Sequence, residues 1–326
     1  MALPQTIRLN TGASIPLVGF GTWQAPPNQV ETAVEIALRS GYKHIDCAAI
    51  YRNETEVGAG IRKSGVARSD IFITTKLWNT HHEPEDVEAA LDQSLQRLGL
   101  EYVDLYLMHW PVAFAPGEKW IPMDSSGVIR ISDTHFVKTW KAMEKLVKTG
   151  KTRAIGVSNL NERRLQELLK VSEITPAVNQ IEAHPYLQQP ALKAFCESNG
   201  ILVAAYSPLG NNQTGELRVV DDPVVAGICK DLDFDIDPGQ LLASWAVQRG
   251  TVVLPKSVTE SRIRSNVQVK KLPRWAFDRL SALERHKRFN DSSRRWGYDI
   301  FDEVGQEAAE KSRKEAGAEN LVKFGF

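Results

Sequence analysis

Four side chains in this sequence are of types that can move a proton together: Asp46, Tyr51, Lys76 and His109. A tyrosine titrates near pH 10, which is too high for an efficient acid or base at neutral pH. A nearby ammonium such as that of Lys76 favours the phenolate and lowers this pKa. Asp46 would keep Lys76 charged and in place, and His109 could hydrogen-bond a substrate oxygen. The set predicts a proton donor to a carbonyl oxygen that needs neither a metal nor a nucleophile.

Each of these residues also has an ordinary interpretation that the sequence leaves open. Asp46 could be a core carboxylate that holds a loop, and Tyr51 a half-buried aromatic residue. His109 could be a satisfied histidine at a strand end. Lys76 could form a Schiff base, as in a phosphate-binding barrel isomerase or aldolase. The proton-donor hypothesis therefore depends on whether the fold brings the four side chains together.

The elements that must position them are short apolar strands that alternate with amphipathic helices. The predicted strands are Val18–Thr22, His44–Ala48, Ile71–Lys76, Val103–Trp110, Arg153–Ser158, Ala177–Glu182, Leu202–Tyr206 and Val252–Leu254. The predicted helices are Asn28–Ser40, Glu54–Ser64, Glu85–Leu98, Thr134–Thr149, Glu162–Val171, Pro190–Asn199, Pro223–Asp231, Pro238–Arg249, Arg262–Asn266 and Pro273–Glu284. This alternation is typical of a parallel sheet, and eight units favour a (β/α)8 TIM barrel of the α/β class over an open sheet.

An N-terminal β-hairpin, Thr6–Leu9 with Ser14–Leu17, is predicted to precede this barrel, and residues 1–326 are expected to form one domain. The carboxyl ends of barrel strands face one mouth. The predicted mouth residues are Thr22–Trp23, Asp46, Tyr51, Lys76–Asn79, His109–Pro111, Ser158–Asn159, Gln180–Glu182, Tyr206–Pro208 and Pro255–Ser257. The long loop Pro111–Asp133 and the tail Arg285–Phe326 could cover this mouth. Their aromatic residues Trp120 and Trp296 or Tyr298 are candidates to close it.

Composition argues against several classes of function. The chain has 326 residues, with 40 basic and 40 acidic side chains and a net charge of zero, which disfavours nucleic acid and acidic membranes as partners. Three widely spaced cysteines predict no disulfide framework or zinc site and suit the cytoplasm. Neither a signal peptide nor a membrane span is predicted.

Three local motifs have weaker interpretations. The segment after Gly19-Phe20-Gly21 lacks a further glycine at the spacing of a dinucleotide-binding fingerprint, so a Rossmann site is not predicted. His81 and His82 lack acidic neighbours at ligand spacing, which favours an exposed loop over a metal site. The basic run Arg285–Arg288, with Arg294 and Arg295, is expected to be a solvated helix end.

Ordered motifs along nearly the whole chain give a more specific indication. They are Gly19–Trp23, Gly41–Asp46, Ala49–Tyr51, Thr75–Trp78, Leu98–Leu100, Asp104–Pro111, Gly156–Asn159, Asn179–Glu182 and Leu254–Thr259. With these motifs the chain resembles the aldo-keto reductase family. Within that family it looks most like fungal reductases of glyceraldehyde, NADP-dependent glycerol dehydrogenases, or aldose reductases. This narrower likeness depends on His109–Phe114 and Arg288–Asp291.

The resemblance implies a catalytic group of Asp46, Tyr51, Lys76 and His109. Tyr51 would be the general acid, Lys76 would lower its pKa, Asp46 would hold Lys76, and His109 would orient the carbonyl. The residues implied to bind substrate are Trp23, Tyr51, Trp78, His109 and Trp110. No metal is implied.

The implied cofactor is NADPH/NADP+. The matching residues are Thr22, Asp46, Ser158, Asn159, Gln180, Tyr206, Ser207, Leu209, Lys256, Ser257, Val258, Thr259, Arg262 and Asn266. Ser158, Asn159 and Gln180 would hold the nicotinamide carboxamide, and Tyr206 would stack on its ring. Three others, Lys256, Ser257 and Arg262, would surround the adenosine 2′-phosphate and favour NADPH over NADH.

The expected activity is NADPH-dependent reduction of aldehydes and small ketones, reversible as oxidation of a polyol such as glycerol. A monomer is expected. The alternatives are an NADPH-binding regulatory subunit with little turnover and, less favoured, a Schiff-base barrel enzyme.

Overall fold

The structure, a computed structural model, describes residues 3–212 and 214–324. An antiparallel hairpin opens the chain, formed by β1 (Thr6–Arg8) and β2 (Ser14–Pro16), with Ile7 opposite Ile15. Because Ile15 is fully buried, the hairpin is fixed against the rest of the protein by its apolar side.

Eight parallel strands in the described residues follow in sequential order. They are β3 (Phe20–Gly21), β4 (His44–Asp46), β5 (Phe72–Leu77), β6 (Leu105–Met108), β7 (Ile155–Ser158), β8 (Val178–Glu182), β9 (Leu202–Tyr206) and β10 (Val252–Val253). The first and last strands meet, since Val253 N donates to Leu17 O at 2.8 Å and Gly19 N donates to Val253 O at 2.9 Å. The predicted (β/α)8 barrel is confirmed.

Helices surround the barrel, and further helices follow in the C-terminal segment. They are α1 (Val30–Arg39), α2 (Glu54–Ser64), α3 (Val87–Leu98), α4 (Phe136–Leu146), α5 (Glu162–Leu169), α6 (Pro190–Ser198), α7 (Pro223–Asp231), α8 (Pro238–Gln248), α9 (Glu260–Asn266), α10 (Arg274–Ser281), α11 (Ser293–Trp296), α12 (Gln306–Glu315) and α13 (Gly317–Phe324). In α1 the buried residues recur with the helical period: Val30, Ala33, Val34, Ala37 and Leu38. Within the described ranges, none of these helices is long and apolar enough to cross a bilayer.

In the part that is described, the predicted tail Arg285–Phe326 contains helices that were not predicted from the sequence. Helices α11, α12 and α13 occupy it. Only Ala309 of α12 is buried, so this helix carries almost no apolar periodicity that the sequence could reveal. Its neighbour α13 docks on the long loop, where Asn320 Nδ2 donates to Gly127 O at 3.0 Å.

Two predictions of solvent exposure are wrong. His82 is 1% exposed rather than in an open loop, because a short helical turn at Asn79–His81 folds it beneath α4. Thr139 of that helix donates to His82 O at 2.8 Å. Arg288 is not solvated either. Its guanidinium lies 3.8 Å from the ring centre of Phe301, and its side chain is only 9% exposed.

Candidate active site

A large cavity opens at the carboxyl ends of the barrel strands. Its volume is about 1440 Å³, beyond the roughly 300–1,000 Å³ that a drug-sized ligand fills. The sequence-predicted residues that line it are Thr22, Trp23, Asp46, Tyr51, Trp78, His109, Trp110, Asn159, Gln180, Tyr206, Ser207, Leu209, Lys256, Ser257, Val258, Thr259 and Arg262. It has room for a dinucleotide together with a small substrate.

Lys76 lies at the base of this cavity, beneath its wall, and is fully buried. Its Nζ donates to both carboxylate oxygens of Asp46, at 2.5 and 2.6 Å, and to Cys47 O at 2.8 Å. It also lies 3.3 Å from Tyr51 Oη. Lys76 therefore links the carboxylate to the phenol, as the sequence predicted for this trio.

The local fold explains this geometry. Asp46 is the last residue of β4, and it pairs with Thr74 on β5. Lys76 follows two residues later on β5 and therefore faces the same side of the sheet as Thr74. Tyr51 ends a helical turn that begins at Ala49, and the following Arg52 adopts a φ of +57° that turns the chain outward.

Electrostatics fix the charge states of these groups. Burial, the largest single influence, would lower the pKa of Lys76, but Asp46 together with Tyr51 and Cys47 outweighs it. The pKa of Lys76 is therefore raised, and the ammonium persists. Burial raises the pKa of Tyr51 to about 12, and Lys76 only partly opposes this. Lys76 thus acts on the Tyr51 pKa in the predicted direction, but the pKa is raised overall because desolvation of the phenolate exceeds the attraction of the ammonium.

His109 completes the group from the end of β6. Its ring meets Tyr51 edge-on with centres 5.8 Å apart, and it stacks on Trp110 at 6.1 Å. Burial, and then the charge of Lys76, hold the pKa of His109 well below its usual value. The imidazole is therefore neutral at physiological pH and carries a single N–H, which could be donated to a carbonyl oxygen.

Polar groups at the next strand ends could hold an amide. Asn159, with a φ of +63°, donates from Nδ2 to His109 O at 2.9 Å and accepts from Tyr206 Oη at 2.7 Å. Gln180 Nε2 lies 3.2 Å from Asp46 Oδ1. Ser158 does not reach the cavity wall, and its hydroxyl donates to Gln180 O at 2.7 Å.

At the far end of the cavity lie two cations that suit a phosphate. Burial lowers the pKa of Lys256, and no carboxylate offsets it. Within the described residues, the Arg262 side chain has no ion pair or hydrogen bond, and it lines the cavity. Two such cations fit a phosphate monoester, so the residues present suit the 2′-phosphate of NADP(H). Asn266 is buried against α8 and does not line the cavity.

The end of the cavity opposite these two cations is lined by aromatic side chains. Trp78 and Trp110 pack on Trp296 of α11 with ring centres 6.2 and 5.0 Å apart. The Trp78 indole N–H donates to Trp120 O at 2.6 Å, so Trp78 offers only apolar surface to a ligand. Trp120 and Trp296 line the cavity, as the sequence suggested for them, whereas Tyr298 does not.

Sequence reasoning missed the anchor of the C-terminal segment. The buried Glu182 carboxylate accepts from Phe289 N at 2.8 Å and Asn290 N at 3.0 Å. Asn290 in turn donates to Ser207 Oγ and accepts from Asn211 Nδ2. The only indication of this anchor in the sequence was Glu182 itself, an acidic residue at the end of the apolar motif Asn179–Glu182. A carboxylate buried in such a strand needs a partner.

No group of three or more His, Cys, Asp or Glu side chains in the described ranges is arranged to hold a metal ion. His81 and His82 therefore have no ligand partners among those residues.

Comparisons with known proteins agree with this geometry. A family model described as "Aldo/keto reductase family" matches residues 17–285. The chain is 49% identical over 292 residues to glycerol 2-dehydrogenase (NADP(+)) of Saccharomyces cerevisiae, covering 86% of this chain and 91% of the yeast protein. It is 44% identical over 302 residues to aldo-keto reductase family 1 member A1 of Cricetulus griseus, covering 90% of each.

A solved structure, the aldose reductase from Schistosoma japonicum, superposes with a TM-score of 0.82 at 40% identity. The match covers 88% of this chain and 94% of that one. Together with the family match over most of the barrel, these likenesses establish that the chain belongs to the aldo/keto reductase family.

Proposed function

We propose that this chain is an NADPH-dependent reductase of aldehydes and small ketones, which can also oxidise the corresponding alcohols. The observation that carries the proposal is the contact of Lys76 Nζ with Tyr51 Oη, 3.3 Å apart, at the base of a cavity with an aromatic end and a cationic end. The names of the yeast and mammalian relatives support this reaction class.

The residues divide the work of reduction. When bound, NADPH supplies the hydride chemistry. Tyr51 Oη holds the proton that the carbonyl oxygen must receive as it becomes an alcohol. A developing alkoxide is a stronger base than a phenolate, so this transfer is favourable even from a phenol with a pKa of about 12. Lys76 stabilises the phenolate that remains, and Asp46 holds Lys76 in place.

His109 and the indoles position the substrate. The neutral His109 ring can donate one hydrogen bond to the carbonyl oxygen without competing for the Tyr51 proton. Trp78, Trp110 and Trp296 exclude water from that end of the cavity, which strengthens both interactions. The indoles of Trp78, Trp110 and Trp296 leave a largely apolar end to the cavity, and we propose small hydroxyaldehydes as the substrates.

For the cofactor, we propose that Lys256, Ser257 and Arg262 bind the 2′-phosphate and that Asn159, Gln180 and Tyr206 bind the nicotinamide. We also propose that residues 1–326 form one domain, because one eight-stranded sheet runs through the chain. We propose that the protein acts as a monomer in the cytoplasm, a compartment in which its three free cysteines would stay reduced.

The test is the loss of NADPH absorbance with glyceraldehyde, pentoses, uronates and aromatic aldehydes, with NADH in parallel. We expect rapid oxidation of NADPH with a small hydroxyaldehyde and slower oxidation of NADH. Tight NADPH binding without turnover of any aldehyde would contradict the proposal and favour a regulatory cofactor-binding subunit.

A further inference from the structure

A group of buried polar atoms without protein partners lies behind the candidate active site. In the described part of the chain, both amide atoms of Asn79, both ring nitrogens of His82 and Nδ1 of His109 are buried and make no hydrogen bond. The three residues are 0%, 1% and 7% exposed. Buried polar groups in native proteins are nearly always hydrogen-bonded, to protein or to ordered water. Five such atoms without a protein partner among the described residues therefore need an explanation.

The backbone brings together the two segments that carry these three side chains. Asn79 and His82 belong to the turn that follows β5, and His109 follows the neighbouring strand β6. His109 N donates to Leu77 O at 3.1 Å, and Asn79 O accepts from Phe114 N at 2.8 Å, so the two segments run side by side. After burial and the charge of Lys76, His82 is a further cause that lowers the pKa of His109.

The chemistry of a neutral imidazole gives this group a role. Such a ring carries its proton on one nitrogen only. His109 lines the cavity, and its Nδ1 is the nitrogen that is buried. Nε2 is therefore the nitrogen available to a substrate, and it can donate only if Nδ1 is held as an acceptor. Since none of the five atoms bonds another protein atom in the described ranges, ordered water is the remaining source of that hydrogen bond. The Asn79 amide and the neutral His82 ring each carry both a donor and an acceptor, so they can bind and orient such a water.

We propose that Asn79 and His82 are positioning residues that bind ordered water, that this water donates a hydrogen bond to His109 Nδ1, and that the proton of the ring is thereby held on Nε2. The effect of this tautomer on catalysis rests on the proposed reductase function. In that reaction the opposite tautomer would present a nitrogen lone pair, rather than an N–H, to the carbonyl oxygen. The tautomer itself is a property of the protein alone and can be measured without turnover.

The experiment uses the full chain with 15N-labelled histidine. In the wild type, the 15N chemical shifts of His109 should show Nε2 protonated and Nδ1 as an acceptor. Asn79→Leu, which keeps the branched shape of the side chain and removes both polar atoms of its amide, should mix the two tautomers. It should lower kcat about tenfold, the lower end of what loss of an orienting partner usually costs, and change KM for aldehyde much less.

Matched variants separate this role from a structural one. Tyr106→Phe removes another buried hydroxyl that has no partner in the described residues, on the strand that leads to His109, and should leave the spectrum and kcat unchanged. His82→Gln keeps a donor and should retain most of kcat, whereas His82→Phe should not. If Asn79→Leu does not fold, Asn79→Ala and the two His82 variants give the same comparison.

A wild-type spectrum with the proton on Nδ1 would overturn the proposal. So would Asn79 and His82 variants that fold, keep the wild-type His109 spectrum and keep kcat. If the enzyme reduced no aldehyde while the spectra changed as expected, the proposed function would fail and the tautomer assignment would stand.

Discussion

The pKa of Tyr51 is raised by burial and lowered by Lys76, and the balance of these two effects could not be predicted from residue types. The sequence places Lys76 near Tyr51 because Lys76 ends one predicted strand and Tyr51 follows the neighbouring one, and an ammonium lowers the pKa of a phenol. In the structure, burial raises that pKa to about 12, more than Lys76 lowers it. The depth of burial depends on the covering loops and the C-terminal segment, whose packing no local pattern specifies.

The Asp46–Lys76 pair predicts a specific stability effect. Lys76→Met would leave the Asp46 carboxylate buried without its cation, which costs about 3–5 kcal/mol in comparable buried pairs. Urea unfolding should show this loss, and the double variant Asp46→Asn/Lys76→Met should recover part of it, because it removes the orphaned charge. A double variant no more stable than Lys76→Met would contradict this explanation.

Arg262 provides a residue-scale test of cofactor choice. Its side chain lines the cavity with no partner in the described part of the protein, so its removal disturbs no internal contact. Arg262→Gln should weaken NADPH binding about tenfold, the value of one charge-assisted contact of about 1.4 kcal/mol. Binding of NADH, which lacks the 2′-phosphate, should not change.

The two dissociation constants can be measured by quenching of tryptophan fluorescence. Arg264→Gln, on the same helix but paired with Glu260, is the matched control. If Arg262→Gln weakened the binding of NADPH and NADH equally, Arg262 would not be a contact of the 2′-phosphate.

At the scale of elements, the barrel and its cover differ in how far the sequence specifies them. The strands and helices of the barrel carry clear apolar periodicities, as in α1, and eight predicted units match the structure. The cover consists of the loop from Pro111 to Asp133 and helices α11–α13. These segments are held by pairwise contacts such as Asn320 to Gly127, which join residues far apart in the chain and leave no periodic signal.

That contact between the long loop and α13 should shape the substrate end of the cavity. A Cβ on Gly127 would collide with Gly317 O, and Gly127 has a φ of +81°. Gly127→Ala should push α13 away, and Leu321 on that helix lines the cavity. We expect KM for a bulky aromatic aldehyde to change several-fold, with kcat for glyceraldehyde nearly constant.

Gly117→Ala is the control for this variant. Gly117 lies in the same loop with a φ of +138°, and a Cβ there would meet nothing within 4 Å. Gly117→Ala should therefore strain the loop backbone without a collision between the added Cβ and another segment. If both variants altered KM alike, loop strain rather than the docking of α13 would be responsible.

At the scale of the whole molecule, buried neutral histidines should make stability depend on acid. Burial lowers the pKa of His44 and of His82 to about 3, whereas an unfolded histidine titrates near 6.5. Between these values the unfolded chain binds more protons, so stability falls as the pH drops below 6.5. Each histidine should cost about 2 kcal/mol of unfolding free energy between pH 7 and pH 5.

Urea unfolding at both pH values measures this loss. His44→Gln should reduce it by one histidine's share, while His286→Gln should not change it, because the His286 side chain is 88% exposed. If His44→Gln lost as much stability with acid as the wild type, burial of neutral His44 would not explain the pH dependence.

The central claim is that Tyr51 supplies the proton of carbonyl reduction. The most direct test is single-turnover oxidation of enzyme-bound NADPH by saturating glyceraldehyde, in the wild type and in Tyr51→Phe. Tyr42→Phe is the control, since Tyr42 is a buried tyrosine whose hydroxyl has no partner in the described structure. We predict that Tyr51→Phe is at least about 100-fold slower with unchanged NADPH affinity, as expected for loss of a general acid. Near wild-type turnover in a folded Tyr51→Phe protein would contradict this mechanism.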